Sequence, residues 1–346
     1  MFSRILYAFT LVSFLFVSLL SMTYTAKAEE TSNLMYSAWV PPGFTLMKYV
    51  DEPDVAEMAK QSGGRLKMKI QYGDVLGSAK DHLRMTQVRI VDLGFCVRAY
   101  TPGIFPLTGL LEMGGLARSS VEGTEIALEV FPRFLKQEFK NVKVVALART
   151  APYLLFLKKK ATTLDELRGL KIRATGLMAD TIRKLGMEPV NMPGSEIYAA
   201  LERGIVDGNI LQNAGSFSYR YFEQTSHVME MSLGGTILFT VMNPDSYAKM
   251  PDDLREVFDR VWGDLNSHSL RWAKAYNEDE GAAKQKIENH PKHPHTYSPL
   301  SPGDLKRVRA AQAEVRAQIV ADLESKGLPA KELEKALADA MRKRGL

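Results

Sequence analysis

Residues 167–211 read LRGLKIRATGLMADTIRKLGMEPVNMPGSEIYAALERGIVDGNIL, and the punctuation of this stretch decides the fold. Gly169-Leu170-Lys171-Ile172-Arg173 is a short strand that ends at Thr175-Gly176. The spacing predicts a helix over 177–185, closed by Gly186, and then an extended Pro189-Val190. Ser195 stands as the cap of a second helix that runs through Leu201 to Gly204. Residues 206–211 return as a strand. Strands alternating with helices in this way argue for parallel α/β domains.

The same rhythm continues outward. Residues 34–39, 66–72 and 90–97 read as strands, with helical spacing over 44–61 and 78–89 between them. Residues 142–147 and 153–157 are strands, and 163–167 is a short helix. Beyond the opening stretch, 236–242 is a longer, wholly apolar strand. After Pro251, the stripe of Leu254, Val257, Phe258, Val261, Trp262, Leu265, Trp272 and Tyr276 predicts one helix reaching about Ile287. At 1.5 Å per residue it would be on the order of 50 Å long, too long for one small domain, so it is expected to cross between two. The tail, 303–346, is charged, amphipathic and helical, with a break at Gly327-Leu328-Pro329.

Composition narrows the function. The chain has 346 residues, 45% apolar and 25% charged, which suits an ordinary globular protein and excludes disordered, collagen-like and coiled-coil classes. Its one cysteine, Cys96, excludes an internal disulfide, a multi-cysteine zinc site and a cysteine-ligated iron–sulfur cluster. The net charge of +5 comes from 45 Lys plus Arg against 40 Asp plus Glu. That small, spread excess does not imply a nucleic-acid partner. No nucleophile elbow, Walker loop, HExxH or dinucleotide fingerprint occurs, and no cofactor or metal is implied. Glu278-Asp279-Glu280 lies in a charged helix and reads as solvated surface. His290, His293 and His295 form HPKHPH, which reads as a solvated turn between a helix and an edge strand rather than a metal site.

The N-terminus reads as an address. Arg4 is followed by ILYAFTLVSFLFVSLL and then Ala26-Lys27-Ala28, the order of a secretory signal peptide cleaved after Ala28. The product is then exported to a periplasm, where a chain with one cysteine does not depend on disulfides.

The opening stretch also carries a resemblance. Leu167-Arg168-Gly169-Leu170-Lys171-Ile172-Arg173, Leu185-Gly186-Met187-Glu188-Pro189-Val190, Ser195 to Leu201 and Gly204-Ile205-Val206-Asp207-Gly208 resemble the solute-binding subunits of tripartite ATP-independent periplasmic (TRAP) transporters. Ser62-Gly63-Gly64-Arg65, Leu76-Gly77, 91–95, Phe105-Pro106 and Met250-Pro251-Asp252 fit the same family. The resemblance implies an α/β, two-lobed periplasmic binding protein, a clamshell with hinge strands and a long helix crossing both lobes. The expected division is 1–28 as signal peptide, 29–150 with 237–276 as the first lobe, and 151–236 with 277–346 as the second. It implies capture of an organic acid, delivery to the membrane permease subunits of a TRAP transporter, and a monomer. A receptor for a signalling partner and, less well supported, a periplasmic enzyme acting on a carboxylate are the alternatives.

The resemblance also assigns residues. Arg173 pairs with the ligand carboxylate in such proteins. Its position at the end of a strand and its bidentate guanidinium suit that role, although the residue alone also fits a surface ion pair. A second basic contact falls in the 149–153 region, on Arg149 or at Tyr153. The polar residue usual at the end of the 206–211 strand is replaced by Leu211, leaving Gln212 and Asn213 as the nearest substitutes. Trp39 faces the cleft, and Val97 stands where sugar-acid relatives place an acid. Those two changes point to a small or apolar-bodied monocarboxylate.

Overall fold

A computed structural model describes residues 30–101 and 103–346; the expected signal peptide over 1–28 lies outside the described residues. Eleven strands among the described residues form two sheets: β1 Ser32–Ala38, β2 Leu66–Tyr72, β3 Leu93–Val97, β4 Lys143–Arg149, β5 Leu154–Leu157, β6 Lys171–Arg173, β7 Glu188–Val190, β8 Gly208–Leu211, β9 His227–Glu230, β10 Ile237–Met242 and β11 Thr296–Pro299. The first sheet has the order β2-β1-β3-β10-β4 and the second β11-β9-β5-β8-β6-β7. In the first, β1 is parallel to β2 and β3, while β10 is antiparallel to both neighbours. In the second, β6 is parallel to β7 and β8, while β5 is antiparallel to β8 and β9. The sheets are therefore mixed, and the antiparallel strands β5 and β10 are those that follow a crossing between lobes.

The apolar character of β10 has a direct cause. Leu238 and Met242 pack into the core on one face of the first sheet, and Ile237, Phe239 and Val241 into the core on the other. A central strand covered on both faces reads as a continuous apolar run. Gly208 on β8 is glycine because a Cβ there would collide with the Phe156 carbonyl of β5.

Two connecting segments join the lobes. Residues 150–153 link β4 to β5, and 231–236 link β9 back to β10. They pair with each other: Thr150 N donates to Thr236 O at 3.0 Å, and Leu233 N donates to Tyr153 O at 3.0 Å. This is the expected pair of hinge strands.

The long helix differs from expectation. It is two helices, Asp252–Trp262 and Leu265–Glu288, broken at Gly263, whose φ of 75° and ψ of −168° leave the helical region. Asp264 then caps the second helix by accepting from Ser267 N at 2.8 Å. The crossing helix is thus 24 residues, about 36 Å. It still ties the lobes together. Its first half is fixed to the first lobe by Trp272 Nε1 donating to Asp51 at 2.7 Å. Its second half is fixed to the second lobe by Glu280, which accepts from Asn213 N and Ala214 N, both at 2.8 Å. Glu280 is therefore not solvated surface.

The tail does not stay in the second lobe. In helix Pro302–Ser325, Val308 and Ala311 join the second lobe's core, but Val320 and Leu323 join the first lobe's. Helix Ala330–Arg342 buries Leu333 and Leu337 in that same core. Arg344 then pairs with Glu125 and Glu129 of helix Ser120–Val130. The expected assignment of all of 277–346 to the second lobe is corrected: the apolar stripe of the last helix finds its partner on the first.

Candidate functional site

The three-residue strand β6 carries Ile172 into the second lobe's core and delivers Arg173 at its carboxyl end, beside the hinge. Arg173 is 3% exposed. Its Nε and Nη2 donate to Met192 O at 3.0 and 2.8 Å, and Nη2 also reaches Tyr100 Oη at 3.2 Å. Among the described residues, Nη1 has no protein acceptor and no carboxylate pairs with this guanidinium. A buried cation without a counter-ion is costly, so its retention calls for an anion from elsewhere.

Arg173 lines a small cavity between the lobes, with about 40 Å³ open to the centre of a water-sized sphere. The first lobe contributes Trp39 just after β1, Phe44, Val97 at the end of β3, Tyr100 and Leu238. The second contributes Tyr153, Thr175, Leu211, Gln212, Tyr219 and Tyr221, and the crossing helix adds Tyr276. Among the described lining residues, Arg173 alone carries a charge. The lining therefore combines one cation, Arg173, with a mainly aromatic wall.

The aromatic wall is built across the cleft. Trp39 stacks on Phe95 behind it, with centroids 5.9 Å apart, and on Tyr219 from the opposite lobe at 6.0 Å. Tyr100 meets the Trp39 ring edge-on at 5.6 Å. Gly194 lets the lobes approach: a Cβ there would lie 3.0 Å from Trp39 Cζ3. Gln212 Nε2 donates to Tyr276 Oη at 2.7 Å. Trp39 Nε1, Gln212 Oε1 and Tyr219 Oη are buried with no protein partner. Unsatisfied polar atoms are rare in cores, so three on one cavity's lining mark a surface not optimised for packing alone. Burial pushes the Tyr153 phenol above its ordinary range, opposed by the nearby Arg173 charge; Tyr153 is thus a neutral donor at neutral pH.

The structure gathers Arg173, Trp39, Tyr153, Leu211, Gln212 and Val97 around this cavity. It does not bring in Arg149 or Asn213. Arg149 is completely buried, and each guanidinium nitrogen is used: Nε donates to Leu111 O at 2.8 Å, Nη1 to Thr150 O at 3.3 Å and Nη2 to Met113 O at 3.1 Å. Burial lowers its pKa to about 10, partly offset by Glu112. It pins the hinge. Asn213 turns the other way, with Nδ2 donating to Glu280 and Oδ1 accepting from Tyr297. Sequence reasoning missed Phe44, Tyr100, Tyr219, Tyr221 and Tyr276. Residues 219–221, Tyr-Arg-Tyr in a stretch without strong periodicity, gave the one local hint. The HPKHPH segment is also not simply solvated: His295 is buried and lies 2.9 Å from Thr225 Oγ1, and His290 packs against Phe222. Among the described residues, no group of three or more His, Cys, Asp or Glu is placed to hold a metal ion.

A sequence profile of the bacterial extracellular solute-binding proteins, family 7 (DctP), matches residues 37–322. The chain belongs to this family. As a family 7 solute-binding protein it captures a ligand rather than transforming one. It is 24% identical over 282 residues to a solute-binding protein of Albidiferax ferrireducens, covering 77% of this chain and 82% of that one. Its fold matches a TRAP solute-binding protein from Rhodoferax ferrireducens in complex with copurified benzoate, with TM-score 0.84 and 23% identity over 91% of this chain and 99% of the other. It also matches a TRAP periplasmic solute-binding protein from Bordetella bronchiseptica with bound mandelate, with TM-score 0.80 and 20% identity over 90% and 99%. Both are two-lobed α/β proteins, like this one.

Proposed function

We propose that this protein captures an organic monocarboxylate with an apolar, aromatic-sized body between its lobes and delivers it to the permease of a TRAP-type transporter. The observation that carries this reading is Arg173, a buried guanidinium that lines a cavity and has no acidic partner among the described residues. A ligand carboxylate supplies the missing charge, and the Trp39, Phe44, Tyr219 and Tyr276 walls take the body. The absence of a second charge among the described lining residues disfavours dicarboxylates and amine-bearing acids. The benzoate and mandelate of the two structural relatives have this chemistry. Export follows cleavage after Ala28, and the chain acts as a periplasmic monomer without nucleic-acid partners.

The test is a thermal-shift panel of organic acids, joined to mass spectrometry of ligand released by denaturing gently purified protein. A true ligand at 100 times its dissociation constant adds about 2.7 kcal/mol of stability. Stabilisation by aromatic monocarboxylates but not dicarboxylates or neutral sugars is expected; the reverse order refutes the reading.

A further inference from the structure

We propose that Tyr100 is the second donor to the ligand carboxylate and the latch that ties its binding to lobe closure. The proposal rests on the reading that Arg173 receives a carboxylate. Tyr100 belongs to the first lobe, in the turn Arg98–Tyr100 directly after β3. Its hydroxyl oxygen accepts from Gly194 N at 2.8 Å and from Arg173 Nη2 at 3.2 Å, and both partners belong to the second lobe. A phenolic oxygen has one proton and two acceptor positions. Two incoming N–H donors occupy those positions, so the proton is left to point elsewhere. It meets no protein acceptor among the described residues, although Tyr100 is only 9% exposed, and the residue lines the cavity.

Arg173 Nη1 is the other donor left over at the same place. The free N–H groups of Nη1 come from the second lobe and one free O–H from the first. A carboxylate has two oxygens and accepts from both at once. Because Arg173 and Gly194 already hold the Tyr100 oxygen, the hydroxyl reaches this position only when the lobes are together. The ligand therefore binds the closed form with one more charge-assisted hydrogen bond than the open form, and that difference is what shifts the equilibrium toward closure. Gly194 serves the same end, since it offers its N–H to Tyr100 where a side chain would press on Trp39.

The test compares wild type with Tyr100→Phe, which keeps the ring against Trp39 and removes only the hydroxyl. Calorimetric titration with benzoate, and with benzamide as its uncharged counterpart, reads the donor. Small-angle scattering of ligand-free protein and of protein at saturating benzoate reads the latch. Expected are benzoate binding weakened 10- to 100-fold, a reduced preference for benzoate over benzamide, and a larger radius of gyration for the variant without ligand. Benzoate affinity within twofold of wild type together with identical scattering overturns the proposal. A wild type that ignores benzoate counts against the aromatic monocarboxylate reading, and the ligand-free scattering then decides the latch by itself.

Discussion

Replacing Arg173 with methionine removes the charge and keeps most of the length. In the complex, a carboxylate would then be desolvated with no cation to meet it, which costs about 2–5 kcal/mol of binding. That is a loss of roughly 30-fold to several thousand-fold, at 1.4 kcal/mol per factor of ten. In the ligand-free protein the terms oppose each other. Losing the donors to Met192 O leaves a buried carbonyl short of partners, at about 1–3 kcal/mol. Removing a buried cation that lacks a counter-ion recovers a desolvation penalty of several kcal/mol. Ligand-free stability is therefore expected to hold or rise while binding collapses. Arg173→Lys keeps the charge but has no planar fork, so it is expected to lie between wild type and Met in affinity. Calorimetric titration and urea unfolding of the ligand-free variants measure both sides. Binding by the Met variant within threefold of wild type would refute the anchor. A Met variant that binds poorly but unfolds far more easily would show that the bond to Met192 is what the guanidinium is for.

Trp39→Phe is expected to abolish most of the ligand-induced fluorescence change, because Trp262 and Trp272 lie in the first lobe's core away from the cavity; a titration followed at tryptophan emission checks this. Arg149→Met is expected to destabilise the protein, since three backbone carbonyls lose their donors at about 1–3 kcal/mol each and together outweigh the desolvation recovered by removing the buried cation. Denaturant unfolding should show that loss, with the affinity of the remaining folded protein nearly unchanged. Burial holds the Glu280 carboxyl above its ordinary value of 4.5 despite the Asn213 and Ala214 N–H donors. The native state then keeps a proton that the unfolded chain releases, so stability falls as pH rises from 4.5 through the raised value. Glu280→Gln should flatten that fall, as read from urea midpoints across the interval.

What was legible in the sequence was local. In β2 the structure matches the expected 66–72, and β6, β8 and β10 lie within a few residues of expectation, because apolar runs bounded by glycine state their own ends. The broken helix was legible in part. Gly263-Asp264 followed by Ser267 is a stop and a cap, but Trp262 and Trp272 feed one core, so the stripe runs through the break. Ser195 caps nothing. The chain there makes a turn over Gly194–Glu196 before helix Ile197–Glu202, and Gly194 is gripped from outside by Tyr100 and Tyr221. Such contacts span 94 and 27 residues, and no short-range pattern encodes them. The same distance hid the tyrosines of the cavity wall. The last helix was misplaced for a related reason: its amphipathic stripe declares that a partner exists but not which lobe provides it.

Arg149 and Arg173 show why residue type and position alone could not assign the second contact. Both end strands beside the hinge, both are buried, and neither forms an ion pair with a carboxylate among the described residues. They differ in how their donors are used. Every nitrogen of Arg149 has a carbonyl acceptor, so its charge is spread over peptide dipoles that belong to the fold. Arg173 spends two nitrogens on one carbonyl and a hydroxyl and leaves Nη1 without a protein acceptor among the described residues, in a side chain that lines the cavity. The first arrangement is complete without a ligand and holds the hinge in shape. The second becomes complete when an anion arrives, and Tyr100, from the opposite lobe, waits on the same anion. Closure and recognition thus draw on one unfilled hydrogen-bond set, so a ligand that satisfies Arg173 without reaching Tyr100 should bind weakly and leave the lobes less tightly closed.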